Sequence, residues 1–240
     1  MKVAIITPTT GSPDLRECIK SVRQQTYKNI EHVILVDGVA RWANAENVLS
    51  GVQFPASNDN EHVGVLPYAT GADGWYGHRV YAASPFIVNA DAIIYLDQDN
   101  WIEPTHVESL VAALKDNEWA YSLRKIYDND GNFICEDNCE SLGKWSTWFN
   151  KDVFHVDTSC FIVRLNVALQ VSLAWYGKWG QDRVFFHTLK QHFTKFDCTK
   201  HHTLCYKLGG NEGSVKKEFF IEGNKKMLEM YNGVLPWKKM

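Results

Sequence analysis

The apolar run Ala92-Ile93-Ile94-Tyr95-Leu96 stops at Asp97-Gln98-Asp99-Asn100, and this abrupt change constrains the fold more than any other stretch of the chain. A short run rich in β-branched and aromatic residues, closed by acidic and amide side chains, reads as a buried strand ending at a sheet edge. Alternate residues of an extended chain share a side, so Asp97 and Asp99 face the same way. There one carboxylate can ligate a divalent cation and the other can contact what that cation holds, which is chemistry for a diphosphate. A strand running into a solvated turn leaves the same letters, so the pattern needs support from the rest of the chain.

Support comes from the N-terminus. Val3-Ala4-Ile5-Ile6-Thr7 is a β-branched run stopped by Pro8, and a polar loop from Thr9 to Ser12 follows. Ser12 can cap a helix, Pro13 suits its first position, and Leu15, Ile19 and Val22 recur at helical spacing to about Gln25. Glu31 to Val36 is a second apolar strand, ending at Asp37-Gly38. Two strands joined through a helix form a βαβ unit with parallel strands and a right-handed crossover. Ligands of such sheets gather at the carboxyl ends of the strands, and Thr7, Pro8, Thr9, Asp37, Asp97 and Asp99 all fall at such ends.

Further on, Thr105 and Glu108 form a capping-box pattern, and Val107, Leu110, Val111 and Leu114 make one apolar helix face. Trp119 to Tyr127 reads as a strand, residues 128–132 as a tight turn, and Phe133 to Cys135 as its antiparallel partner. Residues 136–158, rich in Trp, Asn, Asp and Lys without periodicity, read as a long functional or mobile loop. Cys160 to Val163 returns as a strand, Val167 to Trp175 and Asp182 to His192 read as helices, and the remainder is less regular. The prediction is an α/β fold with a mixed, mostly parallel central sheet flanked by helices.

The 240 residues suit one domain, with no linker or repeat to divide them. A net charge of −3 argues against a nucleic-acid partner, which usually demands a concentrated basic face. Six scattered cysteines without a CxxC pair argue against a disulfide framework or zinc site and fit a reducing cytosol. No secretion signal and no apolar run of about 18 residues is encoded, so the expectation is a cytoplasmic protein without a transmembrane segment. Lys225, Lys226, Lys238 and Lys239 interleave with apolar residues in the tail. That segment could touch anionic lipid peripherally or pack on the domain, and Gly233 and Pro236 interrupt any long amphipathic helix there.

Val3 to Thr9, Cys18 to Tyr27 and Val33 to Gly38, followed by Ala90 to Asp99, together resemble the family 2 glycosyltransferases of GT-A fold, and the resemblance runs to about residue 210. It implies a nucleotide-sugar half over about 1–100, an acceptor half over about 101–210 and a C-terminal extension over about 211–240. It implies that Thr7, Pro8, Thr9 and Asp37 hold the nucleotide of a sugar donor, and that Arg79, beside His78, contacts the nucleotide or its diphosphate. Asp99 would ligate Mn²⁺ or Mg²⁺, with Asp97 on ribose or the metal's waters and a late histidine, His202 or its neighbour His201, as a further ligand.

In inverting members a carboxylate of a Glu-Asp pair deprotonates the acceptor. The matching segment is Trp179-Gly180-Gln181-Asp182-Arg183, which keeps Asp182 as base and has Gln181 where Glu is commoner. A helix N-terminus would favour the ionised form of Asp182, although a first-turn Asp also occurs there for structural reasons alone. Trp145, Trp148 and Asp157, with Phe149 and His155 nearby, suit a glycan or glycoconjugate acceptor, since aromatic faces match sugar rings and carboxylates match hydroxyls. The tryptophans could equally pack the long loop onto the domain. With no Gln-x-x-Arg-Trp motif, the resemblance implies transfer of single sugars, UDP being the default nucleotide and surface polysaccharide the setting. A non-catalytic sugar-binding module is the alternative. A nucleotidyltransferase fits poorly, because the loop after the first strand lacks a glycine-rich basic pattern.

Overall fold

The computed structural model describes residues 1–53, 60–209 and 215–238. Strand β1, Val3–Thr9, is buried along its whole length. Pro8 does not stop it as the sequence suggests. Its ring nitrogen faces the side on which the neighbouring strand has already ended, where pairing stops at Ile6 opposite Tyr95, so no ladder bond is lost. Helix α1, Leu15–Arg23, buries Leu15, Cys18, Ile19 and Val22 at helical spacing, and the Ser12 hydroxyl accepts from the Asp14 amide at its start. The chain returns as β2, Ile30–Val36, parallel to β1.

A second βαβ unit follows that periodicity does not reveal: helix α2, Trp42–Gly51, and strand β3, Glu61–Val65, parallel to β2. Only Ala45, Val48 and Leu49 of α2 are buried, and β3 reads Glu-His-Val-Gly-Val, so neither carries a strong apolar pattern. Helix α3, His78–Ala83, leads to β4, Ala92–Tyr95, parallel to β1 on its other side. After the short β5, Trp101–Ile102, comes helix α4, His106–Leu114. Its expected capping box does not close. Gln25 Oε1 accepts from the Val107 amide instead, and Glu108 accepts from the Thr26 hydroxyl, so the cap comes from the end of α1.

Strands β6, Trp119–Tyr127, and β7, Phe133–Glu136, form the expected hairpin. Strand β8, Phe161–Arg164, lies between β4 and β6 and antiparallel to both. Helices α5, Leu165–Val171, and α6, Gln181–His192, follow, then strand β9, Phe196–Lys207, and helix α7, Lys217–Met230. The sheet order is β3-β2-β1-β4-β8-β6-β9-β5, with β7 beside β6. Strand β9, twelve residues long, lies where the sequence looks irregular; its start, Phe-Asp-Cys-Thr-Lys-His-His, is mostly polar, and its pairing with β6 shifts register.

Trp175 is buried, stacked on Phe185 of α6 with centroids 4.2 Å apart and 5.1 Å from Tyr95 of β4. That aromatic contact ties the start of α6 to the strand preceding Asp97. The tail packs on the domain: Phe220 and Met227 of α7, together with Leu235 and Trp237, are buried. Residues 210–214, Lys239 and Met240 lie outside the described residues. Among the described residues no helix is long and apolar enough to cross a membrane.

Candidate active site

The carboxyl ends of β1, β2 and β4 open into a cleft of about 390 Å³, whose other walls come from the long loop, the start of α6 and the end of β9. Pro8, Thr9, Asp37, Asp97, Asp99, Asp157 and Asp182 all line it, although they span most of the sequence.

At the floor, Tyr81 Oη donates to Asp97 Oδ1 at 2.6 Å, and the Asp97 amide donates to Ser159 Oγ at 3.1 Å. Burial first, then the charge of Asp99, raises the Asp97 carboxyl above the usual carboxylate range. Burial likewise raises Asp99, helped by Asp14 and Asp157 and opposed by its own backbone and by Lys207. Neighbouring carboxylates of this kind are hard oxygen donors, the donor type that divalent cations take.

Gln98, between them, points the other way. Its Oε1 accepts from Thr9 Oγ1 at 2.6 Å and from the Thr10 amide at 3.0 Å, while its Nε2 donates to Thr10 Oγ1. It therefore fastens the loop after β1 to the acidic strand end. The backbone here is a turn rather than a strand, the Asn100 amide donating to the Asp97 carbonyl at 3.1 Å, so the turn and not strand alternation sets the side that Gln98 faces.

Asp37 is a brace. Oδ1 accepts from the Thr70 amide and hydroxyl at 2.6 and 2.7 Å, and Oδ2 from the Gly71 amide at 2.9 Å. A carboxylate has about four lone-pair positions, so one remains for a ligand. Gly38 adopts φ +102°, and a Cβ there would sit 2.9 Å from the Ala69 nitrogen, so only glycine lets the two loops approach. The braced loop holds Tyr76 at φ +50° in the cleft wall, an uncommon conformation for an aromatic residue.

Five residues expected at the site are not among those that line the cleft. Thr7 is fully buried with its hydroxyl 3.0 Å from His32 Nε2, so it faces the core rather than the cleft. Arg79 stacks 3.6 Å over Trp75 and donates to the Thr70 carbonyl, bracing the Asp37 loop; His78 is the one of the pair that lines the cleft. His202 is 9% exposed, with Nδ1 3.7 Å from Glu136, and does not line the cleft; Lys207, at the end of the same strand, does. Trp145 lies against Trp237 at 5.1 Å, and Trp148 against Phe219 at 5.3 Å with Lys226 over its ring, so both pack the loop onto the C-terminal segment.

Asp157 belongs to an ion cluster that the sequence does not announce. Arg124 donates Nη1 to Asp157 and Nη2 to Glu140, each at 2.6 Å, and Nε to Asp137 at 2.8 Å. Burial disfavours the guanidinium charge, but Asp137, Asp157 and Glu140 outweigh it and raise the Arg124 pKa. Three carboxylates on one cation leave this wall acidic.

Asp182 occupies the first turn of α6, where Oδ1 accepts from the Arg183 amide and Oδ2 lies 3.6 Å from His155 Nε2. Gln181 donates Nε2 to the Ala174 carbonyl at 2.7 Å, a bond that an ionised Glu could not make. Its amide anchors the turn that presents Asp182.

Among the described residues no group of three or more His, Cys, Asp or Glu side chains could hold a metal. Asp97 and Asp99 nonetheless fit Mn²⁺ or Mg²⁺, which bind through one or two carboxylates and complete their shell with water and substrate phosphates.

The sheet order and the cleft at its carboxyl edge are those of a GT-A fold. The chain belongs to glycosyl transferase family 2, whose model matches residues 4–159. Among solved structures, the S. aureus TarS 1–349 complex with UDP-GlcNAc has a TM-score of 0.66 at 15% identity, covering 100% of this chain and 68% of that one. The same fragment as TarS 1–349 alone gives 0.63 at 14%, covering 100% and 67%. Its UDP complex gives 0.63 at 15%, covering 95% and 66%. At that identity the likeness is one of fold. No curated protein matches the chain.

Proposed function

We propose that the protein is a metal-dependent, inverting glycosyltransferase that moves one sugar from a nucleoside diphosphate sugar, with UDP as nucleotide, to a hydroxyl of a glycan or glycoconjugate. The observation that carries this reading is the convergence of Asp97 and Asp99 with Asp182 in one cleft. Family membership supports sugar transfer, and the TarS complexes with UDP-GlcNAc and UDP support the donor class.

Thr9, Pro8 and the remaining acceptor position of Asp37 receive the nucleoside. Asp99, with Asp97, holds the cation, which when bound neutralises charge on the departing diphosphate. Asp182 takes the proton of the acceptor hydroxyl as that oxygen bonds to the anomeric carbon; the bond from that carbon to the phosphate oxygen breaks, and its electrons leave with the nucleoside diphosphate. Attack opposite the leaving group inverts the centre. We assign the setting to assembly of surface polysaccharide on the cytoplasmic side.

Asp182→Asn tests the base. Transfer from UDP-GlcNAc to a mixture of saccharide acceptors should fall by about 10²–10⁴-fold while UDP affinity is unchanged. Equal turnover by the variant would refute the assignment.

A further inference from the structure

Eight of the nine tryptophans are buried or partly buried; Trp179 alone is exposed, at 67%. It stands in the wall of the cleft on the turn that presents Asp182. Gly180, between them, adopts φ +86°, and no atom lies within 4 Å of where its Cβ would be. The glycine is thus explained by the turn it makes rather than by crowding, and that turn swings Trp179 clear of the helix. The Arg183 guanidinium lies over the ring, 5.1 Å from its centroid. Asp182, Asp157 and His155 line the same cleft and offer acceptors for hydroxyl groups.

An exposed indole in a polar cleft, with only the Arg183 guanidinium over its ring, contributes little to the core. Its complement is a ligand with one apolar face and a polar edge. A pyranose has that shape, its C–H face suited to the ring and its hydroxyls to the surrounding carboxylates and imidazole. Trp145 and Trp148, the residues that sequence suggests for this task, are occupied by the C-terminal segment.

We propose that Trp179 is the stacking platform for a pyranose ring of the acceptor, setting that ring beside Asp182. The proposal rests on the reading of Asp182 as the base, because the shared turn is what assigns the platform to the acceptor.

Indole N–H resonances of ¹⁵N-labelled protein test it, the Trp179 signal being assigned by its loss in Trp179→Phe. The probes are the methyl β-pyranosides of glucose, galactose, N-acetylglucosamine and N-acetylgalactosamine, each added with and without UDP and Mn²⁺. The expected result is a saturable shift of the Trp179 signal with at least one pyranoside in the UDP-bound protein. Trp179→Ala should weaken that binding about tenfold and Trp179→Phe less, with UDP affinity unchanged in both.

Shifts confined to Trp145 or Trp148, or no shift with any pyranoside, would overturn the proposal. So would a Trp179 shift with UDP-GlcNAc when no free pyranoside adds to the UDP complex, since the platform would then serve the donor sugar. The readout is binding, so it stands whether or not Asp182→Asn retains turnover, and failure of the base assignment is seen separately.

Discussion

The two sides of the cleft, proposed as its donor side and its acceptor side, are built differently. On the donor side, Pro8 and Thr9 end β1, Asp37 directly follows β2, and Asp97 and Asp99 lie in the turn after β4. On the acceptor side, Arg124, Glu140, His155, Asp157 and Asp182 come from a strand, a long loop and a helix start, held together by ion pairs and turns. A parallel sheet positions groups through its backbone ladder, whereas a loop wall positions them through side chains. The first should tolerate loss of one side chain locally, and the second should not.

Arg124→Met puts the largest strain on that contrast. It leaves Asp137, Glu140 and Asp157 without their shared cation, and removing one partner of a buried pair costs about 3–5 kcal/mol. Urea unfolding should register that loss, with the acceptor wall loosened throughout. A change below about 1 kcal/mol would mean that the wall is held by packing alone.

Gln98→Ala is the donor-side counterpart. It frees the loop after β1 from the acidic strand end, and UDP affinity should fall about tenfold, or about 1.4 kcal/mol, with stability changed by about 1 kcal/mol. Wild-type UDP affinity in the variant would show that the strand backbone alone sets that loop.

The smallest effect concerns charge at the floor. Asp97 and Asp99 have carboxyl groups raised above their unfolded values, so the stability they contribute is present below about pH 4 and is lost as the pH rises through the raised folded values. Asp99→Asn removes part of that penalty. Without metal, its melting temperature should exceed that of the wild type by a few degrees at pH 8 and match it near pH 4. A gain that is the same at both pH values would contradict the electrostatic origin.

The same contrast explains what the sequence could disclose. Periodicity and chain reversal placed β1, α1, β2 and β4, and with them most of the donor side. Thr7 does not line the cleft, because its hydroxyl meets His32 in the core, one residue before the cleft begins. Arg79 and His78 are adjacent in one helix, and only packing against Trp75 decides which faces the ligand. Strand β9 hid behind a polar start, and it took Lys207, not His202, to the cleft. Trp145 and Trp148 signalled an aromatic surface, but the partners that absorb them, Trp237 and Phe219, lie about 70 to 90 residues away. Arg124 gave no local signal, since its three partners are set by tertiary contacts.

The central claim, a metal-assisted UDP-sugar site built on Asp99, is tested most directly by thermal stabilisation. Wild type, Asp99→Ala and His202→Ala would each be melted with UDP, GDP, dTDP or CMP, with and without Mn²⁺, because a ligand that binds only the native state raises the melting temperature. The account predicts a manganese-dependent rise with UDP in wild type and His202→Ala that disappears in Asp99→Ala. A rise retained in Asp99→Ala, or one lost in His202→Ala, would contradict it.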